Sequence, residues 1–361
     1  MLKRILLTTD TVGGIWRYSL ELAKGLIEQR IEVMLAVLGP APGPLQRHEA
    51  AGLGATLIVT DLPLDWLAEA ARDIEHAAGA IAAMARRFAA DTVHLHTPCL
   101  VGQAEWPAPV IAVAHSCVGT WWHAVRSGPI PTDLAWRAGM MANGIDRADV
   151  VIAPSHAFAA SLRSCYGTVR PIDVVHNGRT VSATTARRRQ NILTSGRLWD
   201  EGKNVATLGA AAAAWDWPVL AAGPIEGPNG ARVVTRDVTL LGSLSESDMS
   251  EQYARAEIFV SLSQYEPFGL AVLEAAQAGC ALVLSDIPTF RELWHGAATF
   301  VPAQDVGAVI AAVDALSRDP VVRRQSGDAA RRRASAYSAR RMAEETRWIH
   351  DRALAAAQAP A

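Results

Sequence analysis

Apolar, β-branched runs alternate with longer stretches of helical periodicity along almost the whole chain, and few folds can satisfy that alternation. In the first half, strand patterns fall at residues 4–8, 32–38, 56–60, 92–96, 110–114, 150–153 and 173–176. Helical patterns at 16–29, 66–89, 133–147 and 156–166 separate them. Strands of one hydrophobic run each, joined by helices, imply parallel sheets covered on both faces. The pattern lapses over residues 177–190, which are polar, turn-prone and rich in arginine, as expected of a linker. It then restarts, with strands expected at 191–195, 218–222, 238–241, 258–262, 281–284 and 299–301 and helices at 204–214, 246–254, 269–278 and 306–316. At 361 residues the chain exceeds the usual size of one domain. The expectation is α/β: two Rossmann-like parallel-sheet domains, at 1–178 and 179–338, followed by a C-terminal segment at 339–361. Residues 322–359 read as helical, and the basic run Arg331, Arg332, Arg333, Arg340 and Arg341 as a solvated helix face.

Composition removes several classes of function. A formal charge of −2 gives no support to nucleic-acid binding. Cys99, Cys117, Cys165 and Cys280 are scattered without a C-x-x-C pair, which suits free thiols in a reducing cytoplasm. The apolar run in residues 1–10 is too short for a signal peptide, and no charge-free stretch is long enough to span a bilayer. The expected location is cytoplasmic, with contact at the inner face of the membrane left open.

Four segments hold residues suited to chemistry. Tyr-Glu-Pro-Phe-Gly-Leu-Ala-Val-Leu-Glu-Ala-Ala, residues 265–276, sets Glu266 and Glu274 eight positions apart after a strand pattern. Pro267 and Gly269 suit a helix start, which places Glu266 before that start and Glu274 within its first turns. The free N–H groups of Phe268, Gly269 and Leu270 then share a space with Glu266, giving a hydroxyl acceptor beside an anion-attracting patch. A nucleoside-diphosphate sugar needs that combination. Two other readings fit the same residues: the acid and nucleophile of a glycosidase, or a helix cap and a satisfied helix glutamate.

A second segment, Ser-Gly-Arg-Leu-Trp-Asp-Glu-Gly-Lys-Asn from Ser195, follows the next domain's first strand. Arg197 and Lys203 flank a tight turn and can converge on a phosphate, or can be two ordinary surface cations. Lys203 is one of only three lysines among 34 basic residues, which favours the phosphate reading. Third, Gly13 and Gly14 follow the first strand and open the first helix, where backbone can approach an anion; the same residues would serve a plain turn. Fourth, His115 ends the 110–114 strand, where parallel sheets present ligand-facing residues, and is the histidine best placed to touch a sugar. His94 and His96 share a strand face without a third metal ligand nearby in sequence, so structural roles are expected. Trp121 and Trp122 suit core, or a platform for an acceptor. No Asp-x-Asp occurs, so no metal site is expected and charge on a diphosphate falls to Arg197, Lys203 and backbone amides.

Taken together, the Gly13–Gly14 loop, the 150–155 and 175–178 segments, Gly196-Arg-Leu with Lys203, the 241–245 segment and residues 265–279 resemble the retaining glycosyltransferase family 4. That family includes the glycogen-synthase-like and mannosyltransferase-like group. The resemblance implies a GT-B fold, two domains facing each other across a cleft, with the C-terminal helix crossing back to the first. It implies that Glu266 and the amides of Phe268, Gly269 and Leu270 bind the sugar and that Glu274 holds the ribose. Arg197 and Lys203 would bind the diphosphate with Gly14, backbone at Ser243 and Leu244 would read the base, and His115 would contact the sugar. The implied reaction is retaining, metal-independent and cofactor-free: a hexose passes from a nucleotide sugar to a saccharide, lipid-linked or small-molecule acceptor. Asn177-Gly-Arg departs from the family's more usual Asn-Gly-Val-Asp. The rival readings are a nucleotide-sugar epimerase on the same fold and a non-catalytic nucleotide-sugar-binding module.

Overall fold

The computed structural model describes residues 2–180, 186–228 and 230–359. Two units emerge: one takes in the chain up to Gly178 and again from Ala339, and the other is Arg179–Ser338. In the first, β1 (Arg4–Asp10), β2 (Glu32–Leu38), β3 (Thr56–Val59), β4 (Thr92–Leu95), β5 (Val110–Val113), β6 (Val150–Ala153) and β7 (Ile172–Val174) make one sheet in the order β3-β2-β1-β4-β5-β6-β7. Every pairing is parallel. Its helices are α1 (Gly14–Glu28), α2 (Pro44–Ala51), α3 (Ala71–Phe88), α4 (Val118–Val125), α5 (Thr132–Arg147) and α6 (His156–Tyr166).

On α1 the buried residues Trp16, Ser19, Leu20, Ala23 and Leu26 recur at helical spacing and face the sheet core. The C-terminal helix, Ala339–Gln358, lies against α1 and buries Met342, Ala343, Thr346, Ile349, His350 and Ala353 at the same spacing. Burying side chains the size of Met342 and Ile349 contributes roughly 1.5–3 kcal/mol each. The two helices approach so closely at Gly25 that a Cβ there would stand 2.4 Å from the Cβ of Ala343.

The second unit repeats the plan with β8 (Arg189–Ser195), β9 (Val219–Ala222), β10 (Thr239–Gly242), β11 (Ala256–Ser261), β12 (Ala281–Ser285) and β13 (Thr299–Val301), ordered β10-β9-β8-β11-β12-β13. These strands are also parallel throughout. Helices α7 (Val205–Ala212), α8 (Glu246–Arg255), α9 (Leu270–Ala278), α10 (Pro288–Trp294), α11 (Val306–Arg318) and α12 (Pro320–Ala334) cover it. Residues of β12 alternate between two cores: Leu282 and Leu284 join Phe259, Leu273 and Trp294, whereas Ala281 and Val283 join Ile258, Val309 and Val313. Both faces are therefore sealed, as a parallel sheet requires. In each sheet the chain order reverses once, between β1 and β4 and between β8 and β11. Such reversal points are where open α/β sheets hold ligands, at the carboxyl ends of the strands.

Three expectations need correction. Residues 322–359 do not form one helix; a turn at 335–338 divides them, and it is anchored by Tyr337, whose hydroxyl donates to the Leu293 carbonyl at 3.1 Å. The basic run is only partly a solvated face, because Arg331 donates to the Gln277 and Ala278 carbonyls and Arg333 to those of Glu292 and Leu293. Cations suit these helix C-termini. Nor is the 177–190 stretch simply a loose linker: residues 181–185 lie outside the described residues, but Asn177 and Arg179 are buried, and Arg188 donates to the carbonyls of Ala256 and Ala278. Among the described residues no helix is long and apolar enough to cross a membrane.

Because the Gly25 contact leaves no room for a methyl group, Gly25→Ala is expected to destabilise the first unit by up to about 2 kcal/mol. That is the net of roughly 1–3 kcal/mol of overpacking against a helix-propensity gain of about 1 kcal/mol. Adding Ala343→Gly should recover most of the overpacking loss, measured by denaturant unfolding of the single and double variants.

Candidate active site

At the reversal point of the second sheet, the ends of β8 and β11 carry two loops that are bolted together. The Gln264 amide donates to the Gly202 carbonyl at 2.8 Å, and Asn204 sends its side-chain amide to the carbonyls of Leu262 (3.1 Å) and Ala303 (2.6 Å). Asn204 adopts a left-handed φ of 54°, which turns the chain out of the Glu201–Lys203 turn and into α7. This frame sets Lys203 Nζ 2.5 Å from Glu266 Oε2, with both side chains mostly shielded from solvent. The lysine stem runs over Gly196, where a Cβ would meet its Cε at 3.5 Å.

Glu266 does not cap the following helix; Gly269 occupies that position, with φ 94° and no side-chain cap bond. A left-handed φ of this size favours glycine, and a Cβ there would stand 3.3 Å from Glu266 Cγ. The carboxylate thus lies against the start of α9, whose first amides are available for an anion. Leu270 is the first residue of α9, and Phe268 is buried beneath it with its ring edge-on to Tyr337.

Arg197, the other cation of this loop, has its own partners. Its guanidinium pairs with Asp200 at 3.1 Å and lies over the Trp199 ring, so it and Lys203 have separate carboxylate partners. Asp200 also accepts from the Gly202 amide at 3.0 Å, which fixes the turn.

Glu274 is committed to a partner that sequence reasoning missed. Arg179, with only 8% of its side chain exposed, donates to Glu274 Oε1 at 2.8 Å and to Glu246 Oε1 at 2.5 Å. Gln277 holds the Arg179 carbonyl at 2.7 Å. One oxygen of Glu274 is therefore already engaged by a buried guanidinium. The signal was present in sequence as the departure at Asn177-Gly-Arg, but the partners lie 67 and 95 residues away. Glu246 opens α8 after Ser243, Leu244 and the capping Ser245, so the guanidinium links the α9 carboxylate to the loop that carries them.

In the first unit, Gly13 and Gly14 are exposed at the start of α1, just past the end of β1. His115 lies beyond β5 and is partly exposed, whereas His94, His96 and His350 are buried. His115 Nε2 is 3.1 Å from His96 Nδ1, and His96 Nε2 is 3.0 Å from Ser19 Oγ. His94 Nδ1 contacts His350 Nε2 at 3.0 Å, and His350 Nδ1 contacts Thr92 Oγ1 at 2.7 Å. Sequence reading anticipated structural roles for His94 and His96 but not His350, which comes from the C-terminal helix. Among the described residues no three His, Cys, Asp or Glu side chains are grouped to hold a metal ion. Desolvation pushes all four histidines well below the usual imidazole range, to about 3 for His115 and His350. Trp121 and Trp122 are half-buried rather than core, because the packed face of α4 is Gly119 and Thr120.

Two family sequence models match the chain: "Glycosyltransferase Family 4" over residues 12–182 and "Glycosyl transferases group 1" over residues 190–333. A D-inositol 3-phosphate glycosyltransferase of Mycobacterium ulcerans is 28% identical over 360 residues, covering 86% of this chain and 75% of that protein. Among solved structures, sucrose-phosphate synthase from Thermosynechococcus elongatus superposes with TM-score 0.80 at 18% identity, covering 98% of this chain and 100% of that one. The Anabaena HepE structure in complex with UDP and glucose gives TM-score 0.75 at 15% identity, covering 96% and 99%.

Two measurements check this description. Removing the cation in Arg179→Met strands two carboxylates in a sheltered place and should cost about 3 kcal/mol in denaturant unfolding of the second unit. The pH dependence follows from the histidines. Their folded pKa values lie below the unfolded value of about 6.5, so their stabilisation is complete above that pH and is lost as pH falls towards 3. At about pH 5.5, one unit below the unfolded value, each of the buried His94, His96 and His350 should cost about 1.4 kcal/mol, read from denaturant midpoints at pH 7.5 and 5.5.

Proposed function

This chain belongs to the family 4 glycosyltransferases of the GT-B fold, and from that premise we propose that it transfers a hexose from a nucleoside-diphosphate sugar with retention of configuration. The acceptor is a saccharide or polyol hydroxyl, and neither a metal ion nor a resident cofactor takes part. The observation that carries the reading is the Lys203–Glu266 contact at the reversal point of the second sheet, beside the left-handed Gly269. It sets a mobile cation, a hydroxyl acceptor and helix-start amides within one small volume.

In this reading Lys203 and Arg197 meet the diphosphate; one contact to Glu266 leaves the Lys203 ammonium two further protons to donate. Glu266 and the amides of Phe268, Gly269 and Leu270 hold the sugar hydroxyls. Glu274 holds the ribose with Arg179 beside it, and backbone at Ser243 and Leu244 meets the base. Gly13 and Gly14 allow close approach of backbone to the phosphates, and His115 touches the transferred sugar. The named complex of HepE with UDP and glucose, and the named inositol phosphate substrate of the mycobacterial relative, support these classes of donor and acceptor.

Among retaining routes, the state of the two carboxylates favours a front-face path over a covalent glycosyl-enzyme. Glu266 is engaged by Lys203 and Glu274 by Arg179, which leaves the pair poorly suited to act as nucleophile and acid across a glycosidic bond. A front-face path needs neither. The acceptor oxygen bonds to the anomeric carbon as the bond to the diphosphate oxygen breaks, and the hydroxyl proton passes to that departing oxygen. The nearby cations stabilise the charge that develops there.

Thermal-shift screening of UDP-, GDP- and ADP-hexoses, then donor hydrolysis in the presence of chelator, tests the assignment. Glu266→Ala should lower turnover about 1,000-fold with nucleotide affinity nearly unchanged, whereas Lys203→Ala should weaken diphosphate binding at least about tenfold. Normal turnover by both variants, or an inverted anomer in the product, would defeat the proposal.

A further inference from the structure

The hydrogen bonds behind His115 have a determined direction. A serine hydroxyl carries one proton, and Ser19 Oγ lies 2.8 Å from the Ile15 carbonyl, one turn earlier on α1. A carbonyl only accepts, so the Ser19 proton is spent on it. The contact of 3.0 Å between Ser19 Oγ and His96 Nε2 then requires the ring to donate. His96 is buried and neutral, so with a proton on Nε2 its Nδ1 is bare. His115 Nε2, 3.1 Å from that bare nitrogen, must carry a proton and donate it. The remaining nitrogen of His115, Nδ1, is left as an acceptor on the partly exposed member of the chain.

We infer that Ser19 and His96 are positioning residues that lock His115 as the Nε2–H tautomer, so that it offers a bare Nδ1 to a hydroxyl and selects a neutral hexose over a uronic acid. The second half rests on the proposed contact between His115 and the transferred sugar. A hydroxyl donates to a bare nitrogen, whereas a carboxylate brings only lone pairs and a charge that the neutral ring does not offset. Tyr18, edge-on to His115 at 4.5 Å between ring centres, adds no charge.

The experiment is a long-range proton–nitrogen correlation on the whole chain labelled with ¹⁵N-histidine, with His115 assigned by its disappearance in His115→Gln. A protonated Nε2 and a bare Nδ1 on His115 are expected, with mixed tautomers in Ser19→Ala. A protonated Nδ1 in the unmodified protein, or an unchanged His115 pattern in Ser19→Ala, would overturn the lock. In parallel, hydrolysis of each nucleotide hexose is compared with that of the matching nucleotide uronate. A preference for the hexose on the order of 100-fold in kcat/KM, diminished in Ser19→Ala, is expected. Equal turnover would overturn the sugar selection while leaving the tautomer result in force. Turnover of no donor would overturn the functional reading and the selection that depends on it, again distinguishable because the spectrum is independent of activity.

Discussion

A parallel sheet delivers every strand's carboxyl end to one edge, and at one place the chain departs in opposite directions from two adjacent strands. That constraint puts Lys203 and Glu266 side by side, although 63 residues separate them. The surrounding bonds make the place rigid: the Asn204 amide and the Gln264–Gly202 link hold the two loops as one body. The contact is thus built into the scaffold rather than left to a mobile loop, as precise placement of charge on a substrate requires.

Arg179 gives the second unit a feature of its own. The carboxylate that would receive a ribose is already held by a buried guanidinium, which also holds the first residue of α8. Breaking such a pair in place is costly, so a nucleotide must fit around the guanidinium or share it. The arginines of the same stretch are part of the architecture as well, since Arg188 closes the carboxyl end of α9.

Among the described residues each of the thirteen strands overlaps the run where the sequence places it, because strands of covered parallel sheets are short apolar runs bounded by polar turns. The short helices α2, α4 and α10 left no comparable mark; seven or eight residues hold too few turns for a periodic stripe. The turn at 335–338 itself holds neither glycine nor proline, so its composition does not mark the break between the two helices. At the candidate site, spacing disclosed the residues near the ends of β8 and β11 but not their partners. Glu274 turns to Arg179, 95 positions away, and His94 to a histidine 256 positions away. Long-range pairing between side chains leaves no local trace, which is why the directed chain from Ser19 to His115 emerges only in three dimensions.

The first unit is written in two pieces, and its last helix supplies Met342, Ala343, Ile349 and Ala353 to a core otherwise drawn from the first half of the chain. On the ribosome, the face of α1 around Gly25 therefore waits for its partner while the whole of the second unit is translated. That second unit is continuous and is free to condense first. The nascent protein thus has an interval in which this face is a target for chaperones, and the unit begun first is closed only after the second has been made.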